Sequence, residues 1–193
     1  MLLKYYTGIG ARKTNQKVLN YMQNLAEILA QKDYILRSGG AYGSDTAFEI
    51  GCDRVNGKKE IYLPWKEFEN NKSSLYDLPN KKEASIIAKK HHPSWDILSN
   101  AVKSMHTRNT YQVLGQDLNT PSLFVICWTD GTGGTMQALR IAKTLNIPIF
   151  NLKLEKKLDT IDPQFFVEHI EQTLADRVTS NVNMSDLERL VCS

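Results

Sequence analysis

The sequence predicts an α/β protein, a Rossmann-like three-layer sandwich on a mostly parallel sheet. Three observations carry this reading. Apolar strand-like runs alternate with helix-patterned segments along the chain, an order that gives a parallel sheet covered on both faces. One run, Leu123 to Trp128, is almost continuously apolar, as a strand buried on both faces must be. Glycine-rich turns follow three of the strands, at the carboxyl edge where such sheets meet their ligands.

The elements follow in order. Leu3 to Thr7 is the expected first strand, with Gly8-Ile9-Gly10-Ala11-Arg12-Lys13 as its turn. Thr14 is the expected N-cap of a helix reaching about Gln31; its Val18, Met22, Leu25 and Leu29 recur at helical spacing as one buried stripe. Tyr34-Ile35-Leu36 is the second strand, and a helix starts at about Ser44. Glu60 to Leu63 is the third, stopped by Pro64. Lys66 to Asn80 is polar and aperiodic, the pattern of a surface loop or a lid. Asn80 caps a helix that ends before Pro93, and a long helical stretch runs from Trp95 to about Gln116. Leu123 to Trp128 is the next strand and Thr135 to Leu145 a helix. The last strand, Pro148 to Leu152, has its proline at the start, where no ladder hydrogen bond is lost. Residues 1–155 form one Rossmannoid domain, and residues 156–193 a helical extension packed on it. In the extension Phe165, Phe166, Ile170 and Leu174 form the expected packing stripe, and Ser185 to Val191 a short last helix. There is no internal repeat.

Composition narrows the classes of function. A chain of 193 residues suffices for one α/β domain, and its net charge of +3 is spread rather than massed. The basic clusters Lys81-Lys82, Lys89-Lys90-His91-His92 and Lys153 to Lys157 read as solvated surface rather than as a dedicated nucleic-acid footprint. Cys52, Cys127 and Cys192 form no close pair, and the first two fall on apolar segments, which points to a reducing, cytoplasmic compartment. No run spans a bilayer and the N-terminal apolar stretch is too short for a signal peptide, so no membrane partner is expected.

The chemistry lies in the turns. Ser38-Gly39-Gly40-Ala41-Tyr42-Gly43-Ser44-Asp45 and Thr129-Asp130-Gly131-Thr132-Gly133-Gly134-Thr135 each join a strand to a helix. Glycine lets the backbone approach a ligand, and the N–H groups and dipole of the following helix favour an anion, usually phosphate. These turns are expected to converge on one rim with Gly8, Gly10 and Arg12. Thr132, Gly133, Gly134 and Thr135 are the phosphate-cradle candidates; a tight turn with a threonine N-cap is their structural alternative. Ser38, Gly39, Gly40 and Gly43 would approach a sugar or base, or serve turn geometry alone. Asp45, Glu49 and Asp130 are the carboxylates near the rim. Asp45 and Glu49 lie one helical turn apart, so as a pair they would bind ribose hydroxyls or stabilise the cationic sugar formed when an N-glycosidic bond breaks. Capping is the plainer role for Asp45. His91, His92 and His106 lack metal-ligand spacing, and neither a metal nor a cofactor is expected. Trp128, at a strand end, is either core or a stacking platform for a base.

The turns Gly8-Ile9-Gly10-Ala11-Arg12 and Ser38 to Asp45 resemble the Rossmann-like core of the DNA-processing protein A (DprA/Smf) family. Met105-His106-Thr107-Arg108-Asn109, followed by Gly133-Gly134-Thr135, is similar to the LOG family of cytokinin-activating phosphoribohydrolases. Both belong to the SLOG superfamily, and the resemblance spans about residues 3–152. It implies a protein that binds a phosphorylated nucleoside at the carboxyl ends of the strands, with Arg108 making a forked phosphate contact joined by Arg12. The LOG side implies N-glycosidic hydrolysis, with Arg108, Glu49 and Asp45 as the candidate catalytic set, or sequestration of a nucleotide signal. The DprA side implies single-stranded DNA as the alternative partner, in a recombination mediator. Related folds imply a homodimer or higher homo-oligomer. The chain also departs from these patterns. Ala138 stands where LOG enzymes carry their catalytic glutamate, Asn109 stands where they carry lysine, and the segment after the core is short for the winged helix that often follows in DprA proteins. The compact form resembles stand-alone members carried by phages, for which the compartment is the host cytoplasm.

Overall fold

The computed structural model describes residues 3–155 and 158–191, with side chains as far as residue 179. Its five strands are β1 (Lys4–Gly10), β2 (Tyr34–Ser38), β3 (Lys59–Ile61), β4 (Phe124–Trp128) and β5 (Ile149–Asn151). All pair in parallel, in the order β3-β2-β1-β4-β5. The helices are α1 (Gln16–Gln31), α2 (Ser44–Asp53), α3 (Lys81–Lys90), α4 (Asn100–Leu114), α5 (Thr135–Thr144) and α6 (Pro163–Val191). The chain builds outward from β1 to β3, then crosses to the other side of β1. Strand order therefore reverses between β1 and β4, and the crevice outside their carboxyl ends is where open α/β sheets bind ligands.

Period-two alternation sorts the core. Tyr6, Phe124 and Ile126 pack against α1, α2 and α6, whereas Ile9, Val125 and Cys127 pack against α4 and α5. The extension contributes Phe166, Val167 and Ile170 to the first layer, while Phe165 faces solvent. One continuous helix, α6, takes the place of a separate last helix after Ser185. Cys52 and Cys127 are buried, as expected of small core residues; Cys192, Lys156 and Lys157 lie outside the described residues.

Several local expectations are corrected. β1 runs on through Gly8, Ile9 and Gly10, which pair with Ile126, Cys127 and Trp128, so the turn begins at Ala11. Gly8 is a packing glycine: a Cβ there would lie 2.6 Å from the Phe48 ring of α2. The cap of α1 is Asn15, whose side chain accepts from the Val18 N–H at 3.0 Å, while the Thr14 hydroxyl donates to the Ala11 carbonyl at 2.9 Å. The stretch from Trp95 breaks after a 3-10 turn, Trp95–Ile97, and α4 starts afresh behind a Ser99 cap. Residues 66–80 are not a free lid. The Leu63 N–H donates to the Leu75 carbonyl at 2.8 Å, and Phe68 is buried in the core. Arg37 in β2 is fully buried, 2.7 Å from Glu60, its neighbour in the β3 register, and 3.6 Å above the centre of the Tyr5 ring.

Helices α1 and α2 touch through Gly51, where a Cβ would collide with the main-chain oxygen of Gln23. Gly51→Ala should therefore overpack this contact at a cost of about 1–3 kcal/mol. Thermal unfolding followed by circular dichroism would read this as a Tm lowered by roughly 2–10 °C. An unchanged Tm would refute the close approach.

Candidate functional site

A cavity of about 530 Å³ opens at the carboxyl ends of β1 and β4. Helix α4 supplies one wall, because Met105, Arg108, Asn109 and Gln112 recur at helical spacing. The loop after β1 and the loop between β4 and α5 supply the others, with Ala41 and Asp45 from the turn after β2.

Arg108 is the hub. It is buried, and its Nη1 donates to the Gly39 carbonyl at 2.6 Å and lies 3.3 Å from Asp45 Oδ2. Its Nε reaches the Met105 carbonyl at 3.4 Å. Its Nη2 makes no hydrogen bond among the described residues. Asp45 Oδ1 accepts the Gly10 N–H at 3.2 Å. Burial lowers the pKa of Arg108 and raises that of Asp45, and their mutual attraction offsets only part of either shift. Any Cβ on Gly39 would collide with the guanidinium, so this glycine is the seat of the arginine rather than a ligand contact.

The loop between β4 and α5 is held by its own side chains. Asp130 Oδ1 accepts the Thr132 hydroxyl at 2.6 Å and the Thr132 N–H at 3.2 Å, which keeps the carboxyl below its ordinary range. Gly131 and Gly133 adopt φ of +92° and +74° with open space around them, so they supply backbone conformation. Asn109 Nδ2 braces the loop from α4 by donating to the Gly134 carbonyl at 3.1 Å. The N-cap of α5 is Gly134 and no side chain caps it, in place of the threonine cap considered from the sequence. The N–H groups of Gly133, Gly134 and Thr135 have no hydrogen bond among the described residues. They gather at the first turn of a ten-residue helix, the arrangement that binds anions.

Of the residues proposed from sequence, Gly10, Arg12, Asp45, Arg108, Asp130, Thr132, Gly133, Gly134 and Thr135 line the cavity. Gly8, Ser38, Gly39, Gly40, Gly43 and Glu49 do not. The Ser38 hydroxyl is turned to the Gly8 carbonyl at 2.7 Å. Gly40, at φ +64°, packs beneath Leu63, and Gly43, at φ +87°, abuts the backbone of Ala11 and Arg12. Glu49 sits four residues farther along α2, away from the rim, with its carboxylate 2.8 Å from Lys59 and 2.9 Å from Asn71. The Asp45/Glu49 pair therefore does not form in the cavity.

Two further lining residues stand outside the site set expected from the sequence: Gln112, and His106, which the sequence offers only as a non-metal histidine within the Met105–Asn109 stretch. Gln112 Nε2 and His106 Nδ1 are buried and unpartnered among the described residues. Their signal was position alone, one turn after Arg108 and two residues before it. Arg12 is exposed at the mouth, 3.4 Å from Glu69, and its guanidinium and that of Arg108 each lie 5.8 Å from the centre of the Phe68 ring. Among the described residues no cluster of three or more His, Cys, Asp or Glu could hold a metal, and no helix is long and apolar enough to cross a membrane.

No family model matches the chain, and no curated protein matches it. Among solved structures, DNA processing protein A from Helicobacter pylori, described for its single-stranded DNA binding mode, superposes with a TM-score of 0.51 at 20% identity. The alignment covers 94% of this chain and 80% of that one. The two chains share a Rossmann-like α/β fold on a parallel sheet. The molybdenum cofactor binding protein from Rippkaea orientalis aligns over 90% of this chain and 99% of that one, at 14% identity and a TM-score of 0.42.

His106, on the wall of this cavity, gives a pH test of its burial. Burial first, then His92 and Arg108, push its pKa down from 6.5 to about 4. Above pH 6.5 the imidazole is neutral in both folded and unfolded chains. Between pH 6.5 and 4 only the unfolded chain takes up the proton, so folded stability falls as pH falls, by on the order of 3 kcal/mol. Urea unfolding at a series of pH values should show a shallower loss for His106→Leu than for the parent. Parallel profiles would mean that the ring is protonated in the folded protein.

Proposed function

We propose that this protein binds a phosphorylated nucleoside, with its phosphate on the amides of Gly133, Gly134 and Thr135. The observation that carries this reading is the set of three unpartnered main-chain N–H groups in a cavity that also presents Arg12 and the unused Nη2 of Arg108. The cavity volume of about 530 Å³ lies within the range of small-ligand sites. Gln112 and His106 line the same cavity, and their buried Nε2 and Nδ1, unpartnered among the described residues, would meet a sugar or base by turning toward it. Hydrolysis of the N-glycosidic bond, as the LOG resemblance implies, would fall to Asp45. Ala138 carries no carboxylate, and that of Glu49 is held by Lys59 and Asn71. Sequestration needs only the binding half of this arrangement.

A second reading is supported by the likeness to DNA processing protein A, whose described property is single-stranded DNA binding. Here a strand would cross the same rim beside Arg12 and Lys13. Its mark is affinity that falls steeply as salt rises, because bound phosphates release counterions.

Calorimetry with nucleoside monophosphates and the matching nucleosides tests the proposal. The monophosphate is expected to bind at least about tenfold more tightly, and Arg12→Ala to weaken it several-fold with only a small fall in Tm, since that side chain is half exposed and its ion pair is with Glu69. No heat with any nucleotide would refute the reading. Chromatography for free base separates turnover from sequestration. Base release abolished by Asp45→Asn identifies a hydrolase, whereas intact nucleotide after prolonged incubation identifies a binder.

A further inference from the structure

A second cavity, of about 250 Å³, lies on the same carboxyl rim. Gly10 to Lys13 line the first cavity and Asn15, Lys17, Val18 and Tyr21 the second, so the loop after β1 runs between them. The end of β4 divides in the same way, with Trp128 in the second cavity and Thr129 in the first. We infer that this second cavity takes the planar base of a second nucleotide, so that the preferred ligand is a dinucleotide unit spanning both. The inference extends the phosphorylated-nucleoside reading to a larger ligand.

Four observations support it. Trp128 points to the same side of the sheet as Phe124 and Ile126, yet stays partly exposed where they are fully buried. An indole is therefore partly accessible at a strand end where it lines the cavity, and base–aromatic stacking tolerates any base. Val18, Leu152 and Leu158 give the cavity buried apolar walls. Tyr21, only 8% exposed, lines it too, and its hydroxyl has no hydrogen bond among the described residues. Lys153, in the second cavity, lies 3.8 Å from Asp130 of the first, so a cation stands at the step where a linking phosphate would pass. The volume is below that of sites for whole drug-sized ligands and suits a base alone. Glu155 on its wall accepts from an exocyclic amino group, which favours adenine, cytosine or guanine over thymine.

Calorimetry on the full chain with dAMP and the 5′-phosphorylated dinucleotide of deoxyadenosine tests this. The dinucleotide should bind roughly 5- to 150-fold more tightly, the span of one stacked base. Trp128→Leu should abolish that preference and leave dAMP binding unchanged, whereas Trp128→Phe, which keeps a flat ring, should retain part of it. Lys153→Ala should weaken the dinucleotide alone. Free adenosine should also quench Trp128 emission in a Trp65→Phe/Trp95→Phe background, and still do so when Arg12 is replaced by alanine. Quenching without dAMP binding would overturn the phosphate reading and leave the base site standing. Equal affinities for dAMP and dinucleotide, or a preference that survives Trp128→Leu, would overturn the base site.

Discussion

The buried pair of Arg108 and Asp45 is the constraint around which the site is arranged. Two opposite charges out of water generally lose more hydration than their attraction restores, and removing one partner leaves the other stranded. The shifts of both groups toward their neutral forms show desolvation winning on each side. Stability alone is a poor reason to keep such a pair. Its geometric effect is larger. Through it α4 is tied to the Gly39 carbonyl after β2, to the first turn of α2 and, by way of Asp45, to the Gly10 amide at the end of β1. Helix α4 and the ends of β1 and β2 are thus held at fixed distances around one crevice, and Asn109 on the same helix braces the loop after β4. The second residue of the Ser-Gly-Gly turn is glycine because the guanidinium fills the space of its side chain.

Much of this was legible in the sequence. Alternation and the apolar run at β4 determined the layers and the parallel sheet, since both follow from burial on two faces. The gathering of loops at one rim followed from all of them trailing parallel strands. What could not be read depended on register and on contacts between distant segments. Gly8 and Gly10 look like turn glycines until Phe48 and Ser44 are brought against them from α2. The charge of Arg37 inside a strand makes sense only once β3 sets Glu60 beside it. Glu49 shares a helix with Asp45, but Lys59 and Asn71 claim it from elements that local periodicity does not place. Gln112 is not legible as a site residue, and His106 is legible only as part of a motif, because nothing in a sequence marks a polar atom as buried without a partner.

The mouth of the cavity carries local strain. Glu67, Glu69 and Asn70 are non-glycine residues with φ of +58°, +53° and +62°. Such conformations cost on the order of 1 kcal/mol each and persist where surrounding contacts over-determine them. Here Phe68 is buried beside the guanidinium groups of Arg12 and Arg108, and Glu69 pairs with Arg12. A segment that looks like a polar connector in one dimension is therefore anchored to the same two cations that face the crevice.

The amides at the start of α5 belong to the main chain, which every amino acid shares. An anchor of that kind survives replacement of nearly any side chain around it, provided glycine keeps its unusual backbone angles. Affinity for an anion and the chemistry done to it can then drift independently through descent. On the reading proposed above, Ala138 bears on what is done to a bound anion and not on the main-chain grip, so binding and turnover are set by different residues.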